Sequence, residues 1–385
     1  MFSISWFRSV IRVMTFAAFC SACSTGMTQS QSSSSETVVV ARTVEAPSRE
    51  EIRAAIWKYF GSPPSEEAID PQPEILEKVD AGDHERWRLR YLVDKEEYGY
   101  GYLLLPKPLP TKANPAPLML ALHPTAEIGK DRVVAIYDKL AASEAEESSR
   151  RERQYALDLV RRGFITFAPD RAGYGERRLL AEGKYSEQMK EYSKFLAKRH
   201  PGFRLTAGKN VWDLQRGLDA IATFDFVDMD RVGTIGHSLG AWDSIMLIAM
   251  DDRVKAAVVN SGGMVGYRDE LWRDPAALRS YLDDPKQQNL ATIANLMLML
   301  AAPRPVLYLW SVQDLYDRRQ PNMVDSLREI TDYYEQVSGG AKGRAKADFS
   351  FVLQPYGHGF PPESQAFAYR WLEVRLNHKP PECIH

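Results

Sequence analysis

The sequence predicts a single α/β domain in which helices cover both faces of a mostly parallel β-sheet. Short, continuous apolar runs, of the kind found in strands buried on both faces, alternate with segments whose apolar residues recur at helical spacing. Such alternation is typical of parallel strands joined by crossover helices. A Gly-x-Ser-x-Gly pentapeptide, Gly236–Gly240, lies between one such run and one such helix. The sequence has no repeat of fixed period, which favours one domain over a repeat array.

The first half of the domain is expected to begin with a helix and an antiparallel pair of strands that leads into the sheet. Residues 87–93 alternate apolar and polar side chains, as a half-buried strand does, whereas residues 118–122 are continuously apolar. The predicted elements are a helix at 49–60, strands at 87–93, 98–105 and 118–122, a helix at 154–162 and a strand at 164–168. Residues 142–153 are charged and poor in apolar side chains, so we expect a solvated helix extension or a loop there.

The second half continues the alternation around the pentapeptide. The predicted elements are a helix at 211–224, a strand at 231–235, a helix at 241–250, strands at 256–260 and 305–310, a helix at 322–337, a strand at 349–353 and a helix at 363–376. Residues 262–303 do not follow this pattern. Their length, position and aromatic and Met/Leu content favour a helical cap segment over the candidate site, and an additional packing surface is the alternative.

The pentapeptide is typical of a nucleophile elbow, a sharp strand-to-helix turn that exposes a serine hydroxyl, here that of Ser238. A serine hydroxyl is a poor nucleophile until an adjacent base takes its proton, and that base needs a third group to fix its tautomer. Asp314 directly follows a predicted strand, and His358 lies in the glycine-flanked loop after the last strand. The sequence therefore predicts a catalytic triad of Ser238, Asp314 and His358.

Other residues could fill some of these roles. Asp317, three residues after the predicted acid, is the alternative acid. His378 and His385 also follow that acid, but we expect both to be exposed residues of the chain's tail. We expect His237, inside the elbow, to be a packing residue whose side chain points away from the nucleophile.

An oxyanion hole requires N–H groups aimed at the oxygen on which negative charge develops. One donor is expected to be the backbone N–H of Leu239, directly after the nucleophile. The second should come from the loop after the strand at 118–122. Because Pro124 has no N–H, Thr125 is the better candidate, with Ala126 next.

Composition excludes several function classes. The formal net charge is −2 and no basic stripe is present, so we expect no binding to nucleic acid. The chain has three cysteines, and cleavage before Cys23 would leave only Cys383 beside it. Since no Cys/His spacing resembles a zinc site, we expect neither a metal nor a cofactor.

The N-terminus is expected to direct export. Residues 1–22 have the pattern of a signal peptide, in which arginines precede a short apolar run. The small residues before Cys23 resemble a bacterial lipobox, which predicts a lipid anchor at Cys23 and a location in the cell envelope; Cys20 departs from the usual aliphatic residue. Residues 23–48 are predicted to be a flexible tether ahead of a domain at 49–385. A plain secretory signal and a cytosolic protein are the alternatives.

The chain resembles the serine α/β-hydrolase superfamily, and within it the branch of dienelactone-hydrolase-like and acetyl-xylan-esterase-like proteins. The matching motifs occur in family order and cover about residues 50–378: Leu122–Thr125 with Gly129–Asp131, Ala168–Gly175, Gly208–Asp213, Gly236–Gly240 and Tyr356–Gly359. Two positions depart from the family. Pro124 replaces a residue that is often Gly or Gln, and Ser238 replaces the cysteine nucleophile of true dienelactone hydrolases.

The resemblance implies an α/β-hydrolase fold and a serine esterase that forms an acyl-enzyme on short acyl esters, such as those of acetylated carbohydrates. A prolyl-oligopeptidase-like peptidase and a non-catalytic envelope binding protein on the same scaffold are the alternatives. Within the matching motifs, we expect Asp170 to hydrogen-bond local backbone, although Arg171 could contact an anionic substrate. We expect Trp212 and Asp213 to pack against and cap the start of a helix.

Overall fold

The computed structural model describes residues 48–61, 69–137, 151–181, 185–263, 280, 282–283, 290–314, 323–337 and 348–381. All of these residues belong to one compact unit, Val44–His385. Several predictions lie outside the described residues: the signal peptide, the lipid anchor at Cys23, the tether up to residue 47, most of 142–153, much of the cap segment, and the roles of Asp317 and His385.

Nine strands in the described part of the chain form one sheet in the order β1-β2-β3-β5-β4-β6-β7-β8-β9. Pairs β1–β2, β2–β3 and β3–β5 are antiparallel, and the remaining neighbours are parallel. The strands are β1 (Glu74–Asp80), β2 (His84–Asp94), β3 (Glu97–Pro106), β4 (Ala116–Leu122), β5 (Ile165–Pro169), β6 (Val227–His237), β7 (Val254–Asn260), β8 (Val306–Ser311) and β9 (Phe349–Gln354).

The α-helices of the described residues precede, connect and follow these strands. They are α1 (Arg49–Phe60), α2 (Tyr155–Arg161), α3 (Tyr185–Arg199), α4 (Thr206–Ile221), α5 (Leu239–Met250), α6 (Leu290–Ala301), α7 (Met323–Val337) and α8 (Pro362–Arg375). Helix α1 begins at a capping box, in which the Ser48 hydroxyl accepts from the Glu51 N–H and the Glu51 carboxylate accepts from the Ser48 N–H.

The parallel strands are continuously apolar because both faces of the sheet are covered. In β4, Leu118, Leu120 and Leu122 belong to one buried cluster, whereas Met119 and Ala121 belong to another. The alternation of side chains along the strand therefore supplies both clusters. The predicted fold, a mostly parallel sheet with an antiparallel lead-in, is confirmed.

One strand and one α-helix were not predicted, because both are rich in polar residues. Strand β1 is mostly charged and largely exposed, and it is defined by its pairing to β2 rather than by an apolar pattern. Helix α3 is rich in polar residues and lies in a stretch of sequence that offered no strong apolar periodicity.

Helix α4 begins at Thr206, five residues before the predicted start at 211. The prediction that Asp213 caps this helix is therefore wrong. Asp213 lies inside the helix, buried, where it pairs with Lys209 and with Arg177. Trp212 does pack there, and its indole N–H donates to the carbonyl of Val93 at 2.8 Å.

The described end of the cap segment is part of the main core. Helix α6 packs against α5, and Ile293 and residues 296–301 are buried in the same apolar cluster as α5. This part fits the alternative of an additional packing surface, and a cap formed by the rest of 262–303 stays a prediction. Although α5 and α6 are strongly apolar, no helix among the described residues is long and apolar enough to cross a membrane.

Candidate active site

The pentapeptide forms a strained turn between β6 and α5. Ser238 has φ 55° and ψ −114°, a left-handed conformation that side-chain-bearing residues rarely adopt. A Cβ added at Gly236 would lie 2.0 Å from the Gly240 oxygen, and one added at Gly240 would lie 1.9 Å from the Leu122 oxygen. The two glycines are therefore required because backbone from β4 and from α5 passes directly beside the turn.

The predicted triad residues come together at the carboxyl edge of the parallel strands. The hydroxyl of Ser238 lies 2.8 Å from Nε2 of His358. On the other side of the ring, Nδ1 of His358 lies 2.5 Å from Oδ2 of Asp314. The imidazole is thus placed between a hydroxyl and a carboxylate, which is the geometry that a general base requires.

Burial differs along this array. Asp314 is fully buried, and its N–H donates to the Ser311 carbonyl at the end of β8. The His358 side chain is 31% exposed, and Ser238 is partly exposed. The carboxylate is therefore shielded from water while the hydroxyl and the imidazole can meet a substrate.

The predicted oxyanion donors belong to two different segments, the start of α5 and the loop after β4. Leu239 is the first residue of α5, and its N–H donates to no acceptor among the described residues. Such a free N–H at a helix start carries partial positive charge. Thr125 is an exposed residue in an otherwise largely buried loop after β4. It lies three residues beyond Leu122, whose carbonyl contacts the elbow.

Two buried groups hold this loop. The His123 ring accepts the Arg171 N–H at Nε2 and donates from Nδ1 to the Pro124 carbonyl. Burial lowers the pKa of His123, which favours this neutral tautomer. Arg171 forms a buried ion pair with Asp243 of α5, so its charge is compensated within the protein.

Asp170 ties the same loop to the one after β5. Its carboxylate accepts from the N–H groups of Lys130 and Glu176 and pairs with Nζ of Lys130 at 2.7 Å. A Cβ added at Gly129 or at Gly175 would lie 2.1 Å from this carboxylate. The prediction that Asp170 hydrogen-bonds local backbone is confirmed.

The other predicted histidines have packing environments. His237 is fully buried, and its ring lies 4.8 Å from that of His358 and 6.5 Å from that of Phe360. The prediction that His378 is exposed is wrong. Its ring packs 4.2 Å from the ring of Phe164, and its Nε2 donates to the Arg162 carbonyl, because the chain after α8 returns to the turn between α2 and β5.

Sequence reasoning missed a row of buried polar side chains behind the triad. Asn260 ends β7, Ser261 follows it, Ser311 ends β8, and Gln354 ends β9. They are hydrogen-bonded to one another and to His237. The only signal in the sequence is that each apolar strand run stops at a polar residue. Among the described residues, no group of three or more His, Cys, Asp or Glu could hold a metal ion.

Comparisons with solved structures return esterases. A glucuronoyl esterase from Solibacter usitatus has a TM-score of 0.59 and 17% identity, covering 85% of this chain and 91% of that one. A CE15 glucuronoyl esterase from Teredinibacter turnerae T7901 has a TM-score of 0.56 and 16% identity, covering 84% of each chain. A Bacteroides fragilis NCTC 9343 protein described as a "putative acetyl xylan esterase" has a TM-score of 0.56 and 18% identity, covering 80% and 74%.

Comparisons of the sequence give weaker matches than those of the structure. No protein-family model matches the chain. The Bacillus subtilis (strain 168) protein described as "Putative hydrolase YtaP" is 25% identical over 218 residues, which cover 54% of this chain and 63% of that protein. Together with the strand order, the structural likeness shows that this chain has the α/β-hydrolase fold predicted from its sequence.

Proposed function

We propose that this protein is a serine carboxylic-ester hydrolase that works through an acyl-enzyme intermediate. The observation that carries the proposal is the continuous array from the buried Asp314 carboxylate through the His358 ring to the Ser238 hydroxyl. This array ends on a strained elbow at the start of a helix, where an attacking hydroxyl and a helix-start N–H lie on adjacent residues.

In the first half of the reaction, Oγ of Ser238 attacks the ester carbonyl carbon while its proton passes to Nε2 of His358. The carbonyl π electrons move onto oxygen, and a tetrahedral oxyanion forms. When the ester C–O bond breaks, the protonated His358 returns the proton to the departing alcohol oxygen. Asp314 holds the ring in the tautomer with its proton on Nδ1 and stabilises the imidazolium that forms in between.

In the second half, water takes the place of the alcohol. His358 accepts a proton from the water, the resulting hydroxide attacks the acyl carbon, and the proton then returns to Oγ of Ser238 as the carboxylic acid leaves. The N–H groups of Leu239 and Thr125 are proposed to hold the oxyanion in both halves. Each such donor contributes roughly 10²–10³ in turnover.

The proteins to which this chain is structurally similar support a proposal for the substrate class. Those relatives are described as glucuronoyl and acetyl xylan esterases. We propose that the substrate is a short acyl ester, such as that of an acetylated carbohydrate. The signal-like residues 1–22 and the lipobox-like Cys23 support a location in the bacterial cell envelope, with a lipid anchor as the contact to the membrane.

The test is to compare full-length wild type with Ser238→Ala on 4-nitrophenyl acetate and on acetylated xylo-oligosaccharides. We expect the substitution to lower kcat by about 10⁴-fold or more, because the triad acts as a unit. A fluorophosphonate probe should label the wild-type protein and leave Ser238→Ala unlabelled. Turnover retained by the variant would refute the proposal.

The same protein preparation separates the alternatives. Cleavage of an aminoacyl-proline amide faster than an acetyl ester would favour a peptidase. A wild-type protein that reacts neither with esters nor with the probe would favour a binding protein on this scaffold. A series of 4-nitrophenyl esters from acetate to decanoate, measured as kcat/KM, would show whether short acyl groups are preferred.

A further inference from the structure

We propose that Asn260 is a positioning residue, which holds the nucleophile elbow and the histidine loop in register and so aligns His358 with Ser238. The inference rests on the proposed function. Asn260 is the last residue of β7, which lies next to β6 in the sheet, and it is fully buried. It touches neither the hydroxyl of Ser238 nor the ring of His358 through any of its hydrogen bonds, so it would act through the backbone on both sides.

The contacts of Asn260 join the nucleophile elbow to the histidine loop. The separation of these two segments determines the length of the Ser238–His358 hydrogen bond. Its backbone carbonyl accepts the N–H of Ser238 at 3.0 Å. Its side-chain Nδ2 donates to the carbonyl of Gly359 at 2.9 Å, one residue after His358. One rigid residue thus fixes the main chain at the nucleophile and the main chain beside the base.

The orientation of the amide is determined by its neighbours. The Gly359 carbonyl can only accept, so the NH₂ group of Asn260 must face it. The same Nδ2 lies 2.7 Å from Nδ1 of His237, which must then accept the second hydrogen. Burial holds the pKa of His237 well below its usual value, which keeps this acceptor unprotonated.

The same hydrogen-bonded row reaches the loop of the acid. Oδ1 of Asn260 accepts from Nε2 of Gln354 at 2.9 Å, and this nitrogen also lies 2.8 Å from the hydroxyl of Ser311. The carbonyl of Ser311 in turn accepts the N–H of Asp314 at 3.0 Å. All three triad loops are therefore linked through neutral, buried side chains.

Hydrogen bonds that serve only the stability of the fold have no need to end beside the reacting groups. Each side-chain bond of Asn260 instead reaches a different strand end or loop at the site: the elbow at His237, the histidine loop at Gly359, and β9 at Gln354. Hydrogen bonds are stronger in such a buried environment of low dielectric constant. A shift of one loop therefore pulls on the other loops through these bonds. A misplacement of about 1 Å can lower a rate by 10²-fold.

The experiment compares two acetyl esters that differ in how much they need a proton from His358. A nitrophenolate leaves without protonation, whereas the oxygen of an alkyl or sugar alcohol must receive a proton as its bond breaks. Values of kcat/KM report the acylation half alone. We therefore measure kcat/KM for 4-nitrophenyl acetate and for an acetylated xylo-oligosaccharide in wild type, Asn260→Ala and Asn260→Ser.

If Asn260 aligns His358, the substitutions lower kcat/KM for both esters but lower it more for the acetylated sugar. We expect the aryl-to-sugar ratio of kcat/KM to rise about 10-fold or more, since positioned proton transfer contributes roughly 10²–10⁴-fold. Loss of folded protein would lower both values by the same factor and leave the ratio unchanged. Asn260→Ser is the second variant, in case Asn260→Ala does not fold. Serine still breaks the link, because its one hydroxyl proton can serve only one of the two acceptors.

Thr234→Val is the matched control. Thr234 is fully buried in β6, four residues before the nucleophile, and its hydroxyl bonds to the Leu120 carbonyl and to the Ser244 hydroxyl. We expect the aryl-to-sugar ratio of kcat/KM in Thr234→Val to equal that of wild type. The positioning role is overturned if the aryl-to-sugar ratio of kcat/KM is unchanged in both Asn260 variants, or if it rises equally in Thr234→Val. In either case, turnover by the wild-type protein still upholds the proposed function. A wild-type protein that hydrolyses neither ester and resists a fluorophosphonate overturns both.

Discussion

The conformation of Ser238 predicts that a glycine in place of the nucleophile gives a more stable protein than an alanine there, while both substitutions remove the proposed activity. A side-chain-bearing residue in so sparsely populated a backbone region costs roughly 1–3 kcal/mol. Glycine adopts φ 55° freely but adds about 0.5–1 kcal/mol of conformational entropy to the unfolded chain. Although Ser238 is the N-cap residue of α5, its side chain makes no capping hydrogen bond that the substitution would remove.

The midpoints of the two ranges, about 2 and about 0.75 kcal/mol, give an expected net gain for Ser238→Gly of about 1 kcal/mol relative to Ser238→Ala, which keeps the Cβ and its strain. The compact unit holds roughly 340 residues, for which the entropy of unfolding is about 0.7 kcal/mol/K. The gain corresponds to a melting temperature about 1–2 °C higher in Ser238→Gly than in Ser238→Ala.

The assay is equilibrium urea unfolding of both variants together with thermal melting under identical conditions. Both variants lack the hydroxyl and its bond to His358, so their difference isolates the backbone at position 238. An equal m-value for the two variants would show that the same surface is exposed on unfolding. If Ser238→Gly is no more stable than Ser238→Ala, the elbow stores no strain and the reasoning from its dihedral angles is wrong.

Two further predictions concern buried titratable groups. Lys130→Met should destabilise the protein by about 3–5 kcal/mol, because it leaves the buried Asp170 carboxylate without its cation, and Lys130→Met/Asp170→Asn should regain part of this loss in urea unfolding. Burial holds the pKa of His237 well below its unfolded value of about 6.5, so between pH 7.5 and 5.5 the unfolded state gains more of this proton than the folded state does. Stability therefore falls as the pH falls, by at most about 1.4 kcal/mol from this group. His237→Gln should lose less stability than wild type over the same pH range, by up to that amount, and an equal loss in both proteins would show that His237 does not make this contribution.

The sequence predicted the core elements because the sheet imposes local patterns. Strands covered on both faces must be continuously apolar, and β4, β6, β7 and β8 show such runs. Strand β1 has no such constraint, since it lies at the sheet edge and pairs on one side only. The early start of α4 at Thr206 depends on burying Lys209 against Asp213, which no apolar periodicity could indicate.

The candidate site likewise has a part that the sequence predicts and a part that it does not. The elbow, the acid after β8 and the histidine after β9 are recognisable because each depends on a few neighbouring residues and on their order along the chain. The link between Asn260 and Gln354 joins positions 94 residues apart, and that between Asn260 and Gly359 joins positions 99 apart. Such pairs have no local signature.

The sequence by itself determined the strand and helix alternation, the glycine requirement of the elbow and the identity of Ser238, Asp314 and His358 as candidates. The tertiary structure alone decided that their side chains lie within hydrogen-bonding distance, that α6 belongs to the core, and that Asn260 contacts both sides of the Ser238–His358 pair. The physical reason is that apolar periodicity and turn chemistry act between near neighbours in the chain. Buried polar groups find their partners only after the sheet has brought distant strand ends together.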